Sequence, residues 1–234
     1  MSGLEREKRG VGSAVIAVDG PCASGKGTVS KAVATSLGLT WIDTGALYRA
    51  TALLGSRAGI DLDDGEALKQ MIEGHDIALY WRDGGSSVVV DGDELGSTIR
   101  TEAVGQGASR VALLPEVREA LLELQRSMAR AGGVVMDGRD IGSVVLPDAD
   151  LKVYLTASLD ERARRRFEEQ VNRGINTTID EVKSEVSSRD DQDRARVHAP
   201  LIQAPDAVVV DTTLLTPVEA VEEIVSLVVR KFTD

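Results

Sequence analysis

Ala14-Val15-Ile16-Ala17-Val18-Asp19-Gly20-Pro21-Cys22-Ala23-Ser24-Gly25-Lys26-Gly27-Thr28 decides the fold of this 234-residue chain. Residues 14–18 are an unbroken apolar run of largely β-branched type, the pattern of a short strand buried on both faces of a parallel sheet. Gly20 to Thr28 match the phosphate-loop pattern of Gly, four residues, Gly-Lys. After Lys26, Val29, Ala32, Val33 and Leu37 fall at helical spacing, and Gly38 follows as a stop. Strand, glycine-rich loop and helix therefore stand in the order that phosphate binding needs. Glycines let successive backbone N–H groups curl inward, the helix N-terminus adds its positive dipole end, and a lysine reaches the β- and γ-phosphates. The generic pattern has Ser or Thr directly after the lysine to hold Mg²⁺, but here Gly27 occupies that place and Thr28 comes one later. The phosphates and water are thus expected to supply most of the Mg²⁺ shell, with no direct protein ligand assigned.

Working outward, residues 39–43 read as a second strand, and Leu47, Ala50, Thr51 and Leu54 give the next helix its buried stripe. Two successive βα units argue for α/β architecture. Between 61 and 105 the grammar changes to short β-rich runs, 77–81 and 87–90, separated by Asp83-Gly84-Gly85 and closed by Asp91-Gly92. That is an antiparallel insert standing off the main sheet. Residues 101–114 read as helical, and Pro115 suits the first turn of a helix carrying Val117, Leu121, Leu124 and Met128. Residues 134–136, 151–155 and 207–210 are further strands. Ser158 with Glu161 reads as a capping box opening a helix whose stripe is Leu159, Ala163, Phe167 and Val171. Thr216-Pro217 opens a last helix, with Val218, Val221, Val225, Val228 and Val229 expected to be buried.

The expected fold is a P-loop NTPase-type α/β parallel sheet of about five strands flanked by helices. Residues 1–12 read as a flexible leader and 13–234 as a single domain. Within it lie the antiparallel insert at 61–105 and an Arg-rich helical lid at 158–196.

The net charge of −11 argues against a general nucleic-acid binder. No apolar run is long enough to span a bilayer, and the N-terminal residues lack a secretory apolar core. One cysteine, Cys22, allows neither an internal disulfide nor a multi-cysteine zinc site, so a reducing, cytoplasmic setting is expected. A monomer is expected too. Nine of the 27 basic residues fall between 160 and 200, eight of them arginine. Arginine forks grip phosphate oxygens in pairs, although ten acids in the same stretch equally allow a salt-bridged helix surface. Asp137, at the end of a strand, is open to two readings, a carboxylate on the metal's water shell or a turn residue. Trp41 and Trp81 read as packing residues.

The Gly-Lys-Gly-Thr loop resembles that of nucleoside monophosphate kinases. Four further segments resemble the bacterial cytidylate kinase family in order and spacing, from about Val15 to the C-terminus. They are Ile42-Asp43-Thr44-Gly45-Ala46-Leu47-Tyr48-Arg49, Asp137-Gly138-Arg139-Asp140-Ile141-Gly142-Ser143, Glu161-Arg162-Ala163 with the arginines after it, and Arg189-Asp190-Asp191-Gln192-Asp193-Arg194-Ala195-Arg196. The resemblance implies transfer of the ATP γ-phosphoryl group to CMP and dCMP. It implies that Gly20, Pro21, Cys22, Ala23, Ser24, Gly25, Lys26, Gly27 and Thr28 cradle the ATP phosphates. Thr44, Tyr48, Arg49, Ser109, Arg118, Asp137, Asp140, Arg189 and Asp193 are then implied for the acceptor site. Arg49 and Arg189 would hold its phosphate, and Ser109, Arg118 and Asp140 would lie near the base. Lys26, Arg139 and Arg196 would face the reacting phosphates, with Arg162, Arg165 or Arg166 on a mobile lid. The family often has serine at the place of Thr44 and arginine at that of Gln192.

The chemistry is consistent on its own terms. Phosphoryl transfer needs positioning and cationic stabilisation more than covalent chemistry. A phosphate monoester has its second pKa near 6, so it is already mostly a dianion at neutral pH and needs no general base. Two other classes compete: a nucleotide-dependent switch, for which the guanine-reading Asn-Lys-x-Asp is missing, and another small-molecule kinase on the same fold.

Overall fold

The computed structural model describes residues 10–82 and 85–233. Residues 1–9 of the expected leader and the Asp83-Gly84 pair of the expected hairpin turn lie outside the described residues.

β1 (Val15–Asp19) feeds α1 (Lys26–Leu37), and β2 (Thr40–Asp43) feeds α2 (Thr44–Arg57). α3 (Gly65–Glu73) precedes three short strands, β3 (Ile77–Arg82), β4 (Gly85–Val90) and β5 (Asp93–Glu94). A 3₁₀ segment, Gly96–Arg100, leads into α4 (Glu102–Val111) and α5 (Pro115–Ala129), the latter with its proline in the first turn. β6 (Val134–Gly138), a single π turn at Ile141–Val145 and β7 (Leu151–Thr156) follow. α6 (Leu159–Asn172), α7 (Ile179–Ala195), β8 (Val208–Asp211) and α8 (Pro217–Thr233) complete the order.

The main sheet is parallel throughout, in the order β2-β6-β1-β7-β8. Strand alternation sorts its side chains into two layers. Ile16, Val18 and Val135 pack with Val29 and Val33 of α1 and Ile224 and Val228 of α8. Ala17, Val134 and Met136 face the other way, against Ile42 and Ile141. A second core, around Leu47, Leu68, Val88, Val111 and Leu121, joins α2 and α3 to the antiparallel sheet β3-β4-β5 and to α4 and α5.

β1 lies between β6 and β7, so the carboxyl ends of β1 and β6 open a crevice where the connections diverge. In doubly wound sheets that crevice is the ligand site. Gly20 is forced there, because a Cβ on it would lie 2.0 Å from the Leu155 carbonyl oxygen.

Two helix stripes differ from the expected ones. On α8 the buried residues are Ala220, Ile224 and Val228, while Val218 and Val229 are exposed. On α6 the buried residues are Arg162, Ala163 and Gln170, and Val171 is exposed. α6 packs against α7 and the phosphate loop through polar contacts, so apolar spacing alone misplaced its inner face. The Ser158 hydroxyl does cap α6 by accepting from the Glu161 N–H, but the Glu161 carboxylate turns to Arg164 and Arg165 instead of closing the box. The complete box opens α7, between Thr178 and Glu181.

Candidate active site

A cavity of about 620 Å³ opens at the carboxyl end of the sheet. Its wall carries ten basic residues against six acidic ones, in a chain whose net charge is −11. Such a focus of positive potential in an acidic protein attracts small polyanions.

One end of the cavity is the phosphate loop. Ala23 and Gly25 take left-handed conformations, φ 59° and 89°, and so curl the loop into the first turn of α1. Lys26 is buried, and its Nζ donates to the Pro21 carbonyl at 2.7 Å, folded back over its own loop. Burial, with the Arg139 charge nearby, holds its ammonium pKa well below the ordinary value. Asp137, at the end of β6, is pushed the other way, chiefly by burial and then by Asp43. The Trp41 indole donates to Asp137 Oδ1 at 2.5 Å.

The loop is braced from below. Arg162 pairs with Asp190 of α7 at 2.6 Å and donates to the Cys22 carbonyl, while the Cys22 N–H donates to the other oxygen of Asp190. Arg165 donates to the carbonyls of Ser24 and Thr212. From the side, the Asp19 carboxylate accepts from the Ile141 and Gly142 N–H groups, each at 2.7 Å, fixing the turn after β6. Burial pushes Asp19 up to about 6, against the pull of those two donors.

The other end is built from side chains of separate elements. Arg118 of α5 pairs with Asp140 in the turn after β6, both largely buried, and its guanidinium lies 5.7 Å from the Tyr48 ring centroid. Arg189 of α7 donates to the Ser109 hydroxyl of α4 at 3.1 Å. Asp193 accepts from Arg139 at 2.7 Å and from Arg196. Burial pushes Asp193 up, yet the two guanidiniums hold it below the ordinary carboxylate value. Burial works against the Arg139 charge in turn, but Asp193 keeps its pKa raised. Arg49 stands 3.9 Å from Asp43, and the Thr44 hydroxyl donates to the Asp137 carbonyl.

Cys22 to Thr28 line the cavity, together with Thr44, Tyr48, Arg49, Ser109, Arg118, Asp137, Arg139, Asp140, Arg166, Arg189, Asp193 and Arg196. Gly20 and Pro21 shape the loop from behind without lining it. Arg162, one of the arginines expected on a mobile lid, pairs beneath the loop with Asp190 and donates to two carbonyls. Arg166 is the member of that cluster that faces the cavity, and it bridges to Glu102 at the start of α4 at 2.8 Å. Arg189 and Asp193, four apart on α7, do not pair with one another but with Ser109 and with Arg139 and Arg196.

Sequence reasoning did not assign Trp41, Asp43, Lys31, Arg100 or Arg173, all of which line the cavity. The position of Trp41 two residues before Asp43, at a strand's carboxyl end, was the available signal. Arg100 sits outside any motif, and Arg173 belongs to the Arg-rich 158–196 segment without a role of its own. Among the described residues no helix is long and apolar enough to cross a membrane.

A sequence model of the cytidylate kinase family matches residues 16–230. Proteins named cytidylate kinase from Exiguobacterium, Geobacillus kaustophilus and Symbiobacterium thermophilum are 49%, 47% and 48% identical. Those alignments span 90%, 91% and 90% of this chain and 95%, 95% and 93% of the relatives. Among solved structures, a shikimate kinase from Acinetobacter baumannii in complex with shikimate superposes with TM-score 0.50 at 14% identity, over 97% of this chain and 100% of that one. An uncharacterized protein from Eubacterium ventriosum gives TM-score 0.52 at 10% identity, over 92% and 98% of the two chains. Those two likenesses concern the fold alone. With the matching model spanning most of the chain and relatives at almost half identity along it, the chain belongs to the cytidylate kinase family.

Proposed function

We propose that this protein transfers the γ-phosphoryl group of ATP to CMP and dCMP. One observation carries the reading. A single cavity holds a phosphate loop at one end and, at the other, a largely buried arginine–carboxylate pair, Arg118 and Asp140, whose donor and acceptor match a cytosine edge. Cytosine offers an amino donor to Asp140 and a carbonyl acceptor to Arg118. Uracil replaces that amino group with a carbonyl, which would meet the carboxylate unfavourably. The relatives named cytidylate kinase support the same acceptor.

In this reading Lys26 leaves the Pro21 carbonyl for the β- and γ-phosphates, joined by the inward N–H groups of the loop. Arg49 and Arg189 hold the acceptor phosphate in line. Arg139, Arg166 and Arg196 bring positive charge to the equatorial oxygens of the transferring group. The acceptor dianion attacks without a general base, since its second pKa near 6 leaves it already ionised at neutral pH. Asp43 and Asp137, register partners across β2 and β6, both line the cavity beside the loop. These hard oxygen donors suit the water shell of a Mg²⁺ carried in with the nucleotide, which supplies neutralisation of phosphate charge when bound.

The test is ADP release with ATP and Mg²⁺ against CMP, dCMP, UMP, AMP, GMP and shikimate, beside a control without acceptor. Turnover confined to CMP and dCMP is the expected result. Equal rates with UMP would remove the assignment of Arg118 and Asp140, and silence with every acceptor despite ATP binding would favour a nucleotide-dependent switch.

A further inference from the structure

Trp41 belongs to the hydrophobic layer between the sheet and α1, and at 8% exposure it looks like a packing residue. Three observations place it in the chemistry as well. Its indole N–H hydrogen-bonds Asp137 Oδ1 at 2.5 Å, and the ring lines the cavity. Its Cζ2 atom lies 3.6 Å from where a Cβ on Gly27 would stand, so the ring covers the residue directly after Lys26. Asp137 is itself only 6% exposed.

An indole N–H can only donate, so it specifies the orientation of one carboxylate oxygen and leaves the other to the cavity. It also favours the ionised carboxylate against the cost of burial. The same ring that holds Asp137 lies within ordinary van der Waals reach of a Cβ at Gly27. Trp41 thereby ties the end of β6 to the first turn of α1, across the point where the nucleotide phosphates would lie.

We infer that Trp41 is a positioning residue for phosphoryl transfer, its indole N–H holding the Asp137 carboxylate in place beside the phosphate loop. The inference rests on the kinase reading above and adds a residue to it. Trp41→Phe keeps an aromatic side chain on β2 and removes the N–H. We expect kcat with CMP to fall about tenfold, as for other groups that orient a functional ligand, while KM for CMP stays within about twofold. Because Trp41 acts through Asp137, the Trp41→Phe/Asp137→Asn double variant should be no slower than Asp137→Asn alone. In a Trp81→Phe background Trp41 is the remaining tryptophan, and its emission should change when Asp137→Asn is introduced.

A kcat for Trp41→Phe within twofold of the parent would overturn the inference. So would full additivity of the two substitutions, which would mark Trp41 as a packing residue whose loss is felt generally. If the parent fails to turn over CMP at all, the kinase reading falls first and takes this inference with it. Parent activity alone therefore separates the two failures.

Discussion

The two ends of the cavity are held by different means. The end proposed for the donor is one continuous stretch, Gly20 to Thr28, which offers backbone N–H groups and one lysine and is braced from outside by Arg162, Arg165, Asp190 and Asp19. The acceptor end has no backbone frame of its own. Arg118 with Asp140, Arg139 and Arg196 with Asp193, and Arg189 with Ser109 come from α4, α5, α7 and the turn after β6, and they hold one another. A phosphate asks for several N–H groups converging on a point, which a curled backbone supplies. A base edge asks for particular donors and acceptors in a fixed order, which only side chains supply.

Given that division, substitutions at the two ends should fail in different ways. The largest effect belongs to Lys26→Met, which should cost at least about 10³ in kcat with CMP and dCMP alike, measured by ADP release. A loss that depended on the acceptor would blur the two ends into one. Next comes the brace. Arg162→Met leaves the buried Asp190 carboxylate without its ion pair, and the unfolding free energy should drop by about 3 to 5 kcal/mol in denaturant titration. An unchanged midpoint would mean that the loop does not depend on its support.

At the acceptor end, Asp140→Ala should lower kcat/KM for CMP by about 10² to 10³ and for UMP far less, because Arg118 loses its partner and cytosine its acceptor. Uniform loss across bases would assign Asp140 to structure. Asp19 gives a pH test. Its folded pKa, about 6, lies above its ordinary 3.8, so the native state holds that proton more tightly than the unfolded chain. Ionisation of Asp19 therefore costs stability above pH 6, and the cost fades as pH falls through 6 toward 4. Relative to Asp19→Asn, the parent should gain about 2 kcal/mol between pH 7 and pH 4. A flat difference would show that Asp19 does not titrate in that range. The smallest effect is Ala23→Gly. Relief of a left-handed alanine is offset by added freedom in the unfolded chain, leaving a net stabilisation of at most about 1 kcal/mol in the same titration.

The asymmetry between the ends also governs what could be read beforehand. The phosphate loop, the βα alternation and the antiparallel strands are local patterns, and the structure has them at nearly the expected residues. α6 shows where locality stops. Its apolar spacing pointed to Val171 as an inner residue, but the helix turns Arg162 and Gln170 inward, because its neighbours there are the polar Asp190 and the loop carbonyls. Trp41 packs in the core as its apolar context implies, but its bond to a carboxylate is not written in that context.

That a strand ends in a phosphate loop and opens a helix, and that arginines gather in one segment rich in acids, could be read from the order of residues alone. Those facts need only neighbours along the chain, since backbone curvature and helix polarity are set within a few residues. Which arginine faces the cavity was decided only by tertiary structure. Arg162 and Arg166 lie four apart on one helix, but packing against α7 drew the first under the loop and left the second toward Glu102. Charged side chains have many possible partners and go where burial leaves one unpaired, and that is a property of the folded whole.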